Sequence, residues 1–145
     1  MNTIDKVFDN SGNLLAIIVP ATYEAQGIQF FTSNELGQQL GYMNRPPGYI
    51  IEAHVHNPIP RNIEDTVEAL FIRKGKVRID FYDSNKVYLA ERILSTGDVI
   101  LLISGGHGFT MLEQTEMIEV KQGPYANDKD KVRFTPKEFP GGRKL

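Results

Sequence analysis

Two of the three histidines in this chain, His54 and His56, stand two residues apart in Gly48-Tyr49-Ile50-Ile51-Glu52-Ala53-His54-Val55-His56. On a β-strand that spacing sets both imidazoles on one face. Glu52 and Ile50 share the face, while Ile51, Ala53 and Val55 occupy the other. The third histidine, His107, follows the apolar run Val99 to Ile103 and the turn Ser104-Gly105-Gly106. Glycine at such a turn lets backbone approach another group closely. The chain has no cysteine, so imidazole and carboxylate are its strong metal donors.

The elements that must position these residues read as short strands. Val7 and Phe8, the turn formers Asp9-Asn10-Ser11-Gly12-Asn13, and the apolar Leu14 to Val19 spell a hairpin. Gly27 to Phe31 is a further strand. Thr32 and Glu35 have capping-box spacing, Leu36 and Leu40 lie one turn apart, and Gly41 stands where a helix would stop. One short N-terminal helix is expected there. After His56, Pro58 and Pro60 restrict the chain to an extended loop. Glu68 to Arg73 and Val77 to Tyr82 flank Lys74-Gly75-Lys76 and predict a second hairpin. Val87 to Leu94, Val99 to Ile103, Gly108 to Leu112 and Met117 to Lys121 follow, separated by turn formers. This pattern predicts an all-β sandwich or barrel. From Gly123 the chain is polar and rich in Pro, Gly and Lys, which reads as a surface tail over 123–145.

Placed together, these motifs resemble those of the cupin family. Gly48, His54, His56, Glu68 and Gly75 match the first cupin motif, and Gly97, Gly105 and His107 the second. The chain departs from the pattern in three places. Eleven residues separate His56 from Glu68, where the family usually has three or four residues from histidine to glutamate. Ile103 stands at the usual proline, and His107 follows Gly105 one residue early. Glu64, within the long gap, is a rival to Glu68. The resemblance implies a double-stranded β-helix, or jelly-roll barrel, with the core barrel over about 44–122 and the N-terminal strands and helix over 1–43, in one domain spanning 1–145. It further implies a divalent transition metal, Mn or Fe first and Ni, Co or Zn after them, held by His54, His56, Glu68 and His107. Three neutral imidazoles with one carboxylate make a donor set of borderline hardness.

Around these ligands, Glu52 is placed to move a proton and Arg61 to grip an anionic group, with Arg45 a second basic candidate. Tyr49, Phe109 and Met111 are candidates for the cavity wall. Charge is nearly balanced, 16 Lys and Arg against 18 Asp and Glu, and is scattered along the chain, so no nucleic-acid footprint is present. Leu14 to Val19 is too short to cross a bilayer, and a cytoplasmic location is the expectation. The expected function is a metal-dependent sugar or sugar-derivative isomerase, or a dioxygenase, acting on a small oxygen-rich molecule. The alternative is a non-catalytic cupin that binds or senses a small molecule. A homodimer is expected, with Leu14 to Val19 and Ile28 to Phe31 adding to a neighbour's sheet.

Overall fold

The computed structural model describes residues 2–136. The chain folds as two compact units, one formed by Met1–Tyr23 with Thr66–Leu145 and the other by Glu24–Asp65.

The larger unit holds two antiparallel sheets. In chain order its strands are β1 (Asp5–Phe8), β2 (Leu14–Val19), β5 (Glu68–Lys74), β6 (Lys76–Tyr82), β7 (Tyr88–Ser95), β8 (Val99–Leu102), β9 (Gly106–Met111) and β10 (Glu116–Lys121). The smaller unit supplies the remaining two, β3 (Gly27–Phe30) and β4 (Gly41–Asn44). The five-stranded sheet runs β1-β2-β8-β5-β10 and the three-stranded sheet β7-β6-β9. Alternation decides what each strand buries. Leu70 and Ile72 of β5 join Ala16, Ile18, Ile100 and Leu102 from the first sheet, and Val77, Ile79, Phe81 and Leu94 face them from the second. The shared core makes the unit sandwich-like, and its sheets are not closed into a barrel.

The first hairpin forms as expected, Asp5 pairing with Ile18 and Val7 with Ala16. Asp9 organises its turn. One carboxylate oxygen accepts the backbone N–H groups of Ser11 and Asn13, each at 2.9 Å, and the other accepts the Asn13 side-chain amide at 2.8 Å. These donors, the Asn13 side chain first, hold the Asp9 carboxyl below its usual pKa, with slight burial opposing them. A carboxylate with a depressed folded pKa stabilises the fold above its unfolded pKa, and that contribution is lost as pH falls through the folded value. Asp9→Ala should therefore lower the thermal midpoint at neutral pH and narrow its gap to the wild type in acid. Melting curves between about pH 2 and 7 check this.

The second expected hairpin does not form. β5 and β6 are consecutive yet lie in different sheets, β5 between β8 and β10, and β6 between β7 and β9. Gly75 makes the transfer at φ +90°, where a Cβ would run into the backbone oxygen of Gln114 and the Thr115 side chain. The turn is too tightly packed against a neighbouring loop to return the chain beside itself. β2 is also central, flanked by β1 and β8, so it has no free edge to offer a second copy.

In the smaller unit β3 pairs antiparallel with β4, Ile28 opposite Met43. The expected helix over Thr32 to Gly41 is absent, and those residues form the connecting loop. Thr32 makes no cap. Its hydroxyl donates to Gln39 Oε1 at 2.8 Å, while the Gln39 amide donates to the carbonyls of Ser33 and Leu36. Side-chain bonds that close the loop win over weak, uncapped helical propensity. Gly41 opens β4, stacked under the Phe30 ring. The segment 45–67 contains no strand, which corrects the expected ligand strand over Gly48 to His56. Alternation alone does not make a strand without a partner ladder, and prolines at 46, 47, 58 and 60 remove ladder donors on both sides of the stretch. No residue from 24 to 65 is buried. Among the described residues no helix is long and apolar enough to cross a membrane.

Candidate functional site

The candidate site of the larger unit lies between β5 and β10 of the five-stranded sheet and β9, an edge strand of the three-stranded sheet. Glu68 begins β5 on the face that carries Leu70 and Ile72, opposite Leu102. His107 stands on β9 opposite Phe81, which puts it on the core side of the three-stranded sheet. Gly105, at φ +70°, sets the entry to β9, and a Cβ there would lie 2.5 Å from the Tyr82 carbonyl oxygen. Chain entry at that angle requires glycine. The result is that His107 Nε2 comes within 3.5 Å of Glu68 Oε2, both side chains being mostly buried. The His107 N–H holds the Glu68 carboxyl below its usual pKa, helped by the charges of His107, Lys121 and Lys131 and opposed by burial.

This pair opens onto a cavity of about 620 Å³, within the size range of small-molecule sites. Tyr82, Phe109, Lys121 and Phe134 are among its walls. Lys121 lies 3.8 Å from Glu119 and over the Tyr125 ring. Asp80, only 3% exposed, is held by Arg78: Nε lies 3.1 Å from Oδ1 and Nη2 donates to Oδ2 at 3.1 Å. Burial, followed by the Asp80 charge, raises the pKa of the Tyr82 hydroxyl, so it remains a neutral phenol and a hydrogen-bond donor at physiological pH.

His54 and His56 belong to the smaller unit. Their rings meet edge to face, centroids 5.3 Å apart. His54 Nδ1 lies 2.8 Å from the Glu52 carbonyl oxygen, a contact that favours the tautomer with the proton on Nδ1 and leaves the Nε2 lone pair available. Glu52, Arg61 and Glu64 are exposed in the same irregular segment. Arg45 stacks on the Tyr49 ring at 4.5 Å. Of the expected wall residues, Phe109 lines the cavity of the larger unit, Met111 is exposed at the end of β9, and Tyr49 lies with Arg45.

The four expected ligands are thus found as two pairs, one in each unit. Within neither unit, among the described residues, do three His, Asp or Glu side chains gather as a metal-binding group. The chemistry of each pair still suits a metal. The 3.5 Å between His107 Nε2 and Glu68 Oε2 is shorter than two metal–ligand bonds of about 2.1 Å laid end to end, so one ion can touch both atoms.

Sequence reasoning missed Tyr82 and the tail residues Lys131, Arg133 and Phe134. For Tyr82 the signal was present, since Arg78, Asp80 and Tyr82 alternate with apolar Val77, Ile79 and Phe81. The tail gave no such signal, because a polar stretch with one phenylalanine looks the same whether it lines a cavity or leaves the surface. Over its described part the expected surface tail has no buried residue, and within it the Phe134 ring meets Tyr82 edge to face at 5.1 Å and lines the cavity. Residues 137–145 of that tail lie outside the described residues. Compared with protein-family models, curated proteins and solved structures, the chain finds no match in any of the three.

Proposed function

We propose that this chain is a cupin-like metalloprotein that takes a small, oxygen-rich molecule into the cavity beside Glu68 and His107. The observation that carries the reading is the approach of those two side chains. They are far apart in sequence, each stands at a motif position, and they meet at 3.5 Å at the wall of a cavity. His54 and His56, with the His54 Nε2 left available, are a separate pair of donors in the smaller unit. When bound, a divalent ion with open positions would supply Lewis-acid polarisation or, if it is iron, oxygen chemistry. The reaction class is isomerisation of a sugar-like substrate or dioxygenation. Phe109 and Phe134 exclude water from one side of the cavity, and the neutral Tyr82 hydroxyl is suited to orient a substrate oxygen. The homodimer belongs to the same proposal, through the free edge of β3 and not through β2.

Elemental analysis of untagged protein tests the reading. About one equivalent of Mn, Fe, Co, Ni or Zn is expected in the wild type, and loss of it is expected in His107→Ala. Wild-type protein that carries no metal and takes none up would overturn the metal, and a small-molecule-binding protein would remain.

A further inference from the structure

The residues from Asp130 to Phe134 form one wall of the cavity in the larger unit. Phe134 seats this wall: its ring packs against Tyr82, lies 3.3 Å from where a Gly106 Cβ would be, and has Lys86 Nζ 5.7 Å from its centroid. An aromatic anchor of this kind gives an otherwise irregular segment a defined position. Two basic side chains, Lys131 and Arg133, are thereby placed on the cavity lining.

The charges on that lining are unequally committed. Asp80 is held by Arg78, Glu119 by Lys121, and Glu68 faces His107. Lys131 and Arg133 are exposed and make no ion pair among the described residues. Beside them Asp130 Oδ2 is buried without a hydrogen-bond partner. A buried carboxylate oxygen left unpaired is costly, and a hydroxyl donor would satisfy it. Two exposed cations outside any salt bridge, with buried carboxylate oxygens of Asp130 and Asp80 on the same lining that lack a hydrogen-bond donor, are the complement of a ligand that carries a carboxylate and hydroxyl groups.

From this we infer that Lys131 and Arg133 form the anion-recognising wall of the cavity, and that its ligand is a small polyhydroxylated carboxylate. The inference rests on the proposed small-molecule cavity but not on the metal. It gives the anion contact to Lys131 and Arg133, where the sequence alone pointed to Arg61.

Calorimetric titration with gluconate, glucose and hexanoate tests it, on the full chain as purified and again after chelation, with metal content measured on the same samples. Gluconate should bind at least about tenfold more tightly than either glucose or hexanoate. Lys131→Ala/Arg133→Ala should reduce gluconate binding to the level of glucose while leaving metal content unchanged. Phe134→Ala, which unseats the wall, should weaken gluconate in the same direction with both cations still present. Equal binding of gluconate and glucose, or unchanged gluconate binding in Lys131→Ala/Arg133→Ala, would overturn the assignment. Loss of gluconate binding in Arg61→Ala with no loss in the Lys131 and Arg133 variant would return the anion contact to Arg61. Absence of metal with gluconate selectivity intact would sink the metal reading alone.

Discussion

Phe81→Ala is expected to destabilise the larger unit by about 3–5 kcal/mol, the range for removing a large aromatic from a packed core. Phe81 is 1% exposed and stands on the central strand of the three-stranded sheet, between Ala90 and His107 in register. Its ring belongs to the core shared with Leu70, Ile100 and Leu102 of the other sheet. Truncation removes the apolar contact and leaves a void that flanking β-strands cannot collapse to fill. Because His107 lies directly opposite, the same variant should loosen the Glu68–His107 approach. Urea denaturation measures the stability change, and Phe81→Leu, which keeps most of the volume, should cost markedly less. Equal stability of Phe81→Ala and the wild type would mean that the two sheets do not share this core.

Gly75→Ala is the second large effect, expected at about 3 kcal/mol or more. Two costs combine. The residue sits at φ +90°, where an alanine is strained by about 1–2 kcal/mol. The added methyl group also meets backbone, the Gln114 oxygen and the Thr115 Cα at 2.9 Å, which cannot swing aside as a flexible side chain can. Gly12→Ala separates the two effects. Gly12 has φ +83° and open space within 4 Å of where a Cβ would stand, so it should show the strain alone, about 1 kcal/mol. If both substitutions cost the same, the packing around Gly75 contributes nothing. The larger cost matters because Gly75 is where the chain passes from the sheet that carries Glu68 to the sheet whose β9 carries His107.

The strands of the larger unit were legible because turn formers punctuate them and apolar residues alternate or run together between the turns. β2, β5, β6, β7, β8, β9 and β10 all lie where the sequence put them, within about two residues. Which strands would pair was not legible at Gly75, since a glycine turn looks the same in a hairpin and in a change of sheet, and only the packing of the 113–115 loop distinguishes them. The smaller unit was read least well. Thr32 and Glu35 have the spacing of a helix cap, yet the Gln39 amide reaches the Ser33 and Leu36 carbonyls instead, a contact that no local pattern announces. At the candidate site, Glu68 and His107 stand out by motif and do meet. The cations of the tail do not stand out, because their role depends on where Phe134 packs.

The proposed metal is tested most directly at the Glu68–His107 pair. Pulsed electron paramagnetic resonance of Mn(II)-loaded protein, with histidines labelled with nitrogen-15, reads imidazole coordination directly. A metal held beside Glu68 predicts coupling from a histidine nitrogen that is lost in His107→Ala. Coupling to no histidine nitrogen, or a signal unchanged in His107→Ala, would contradict it.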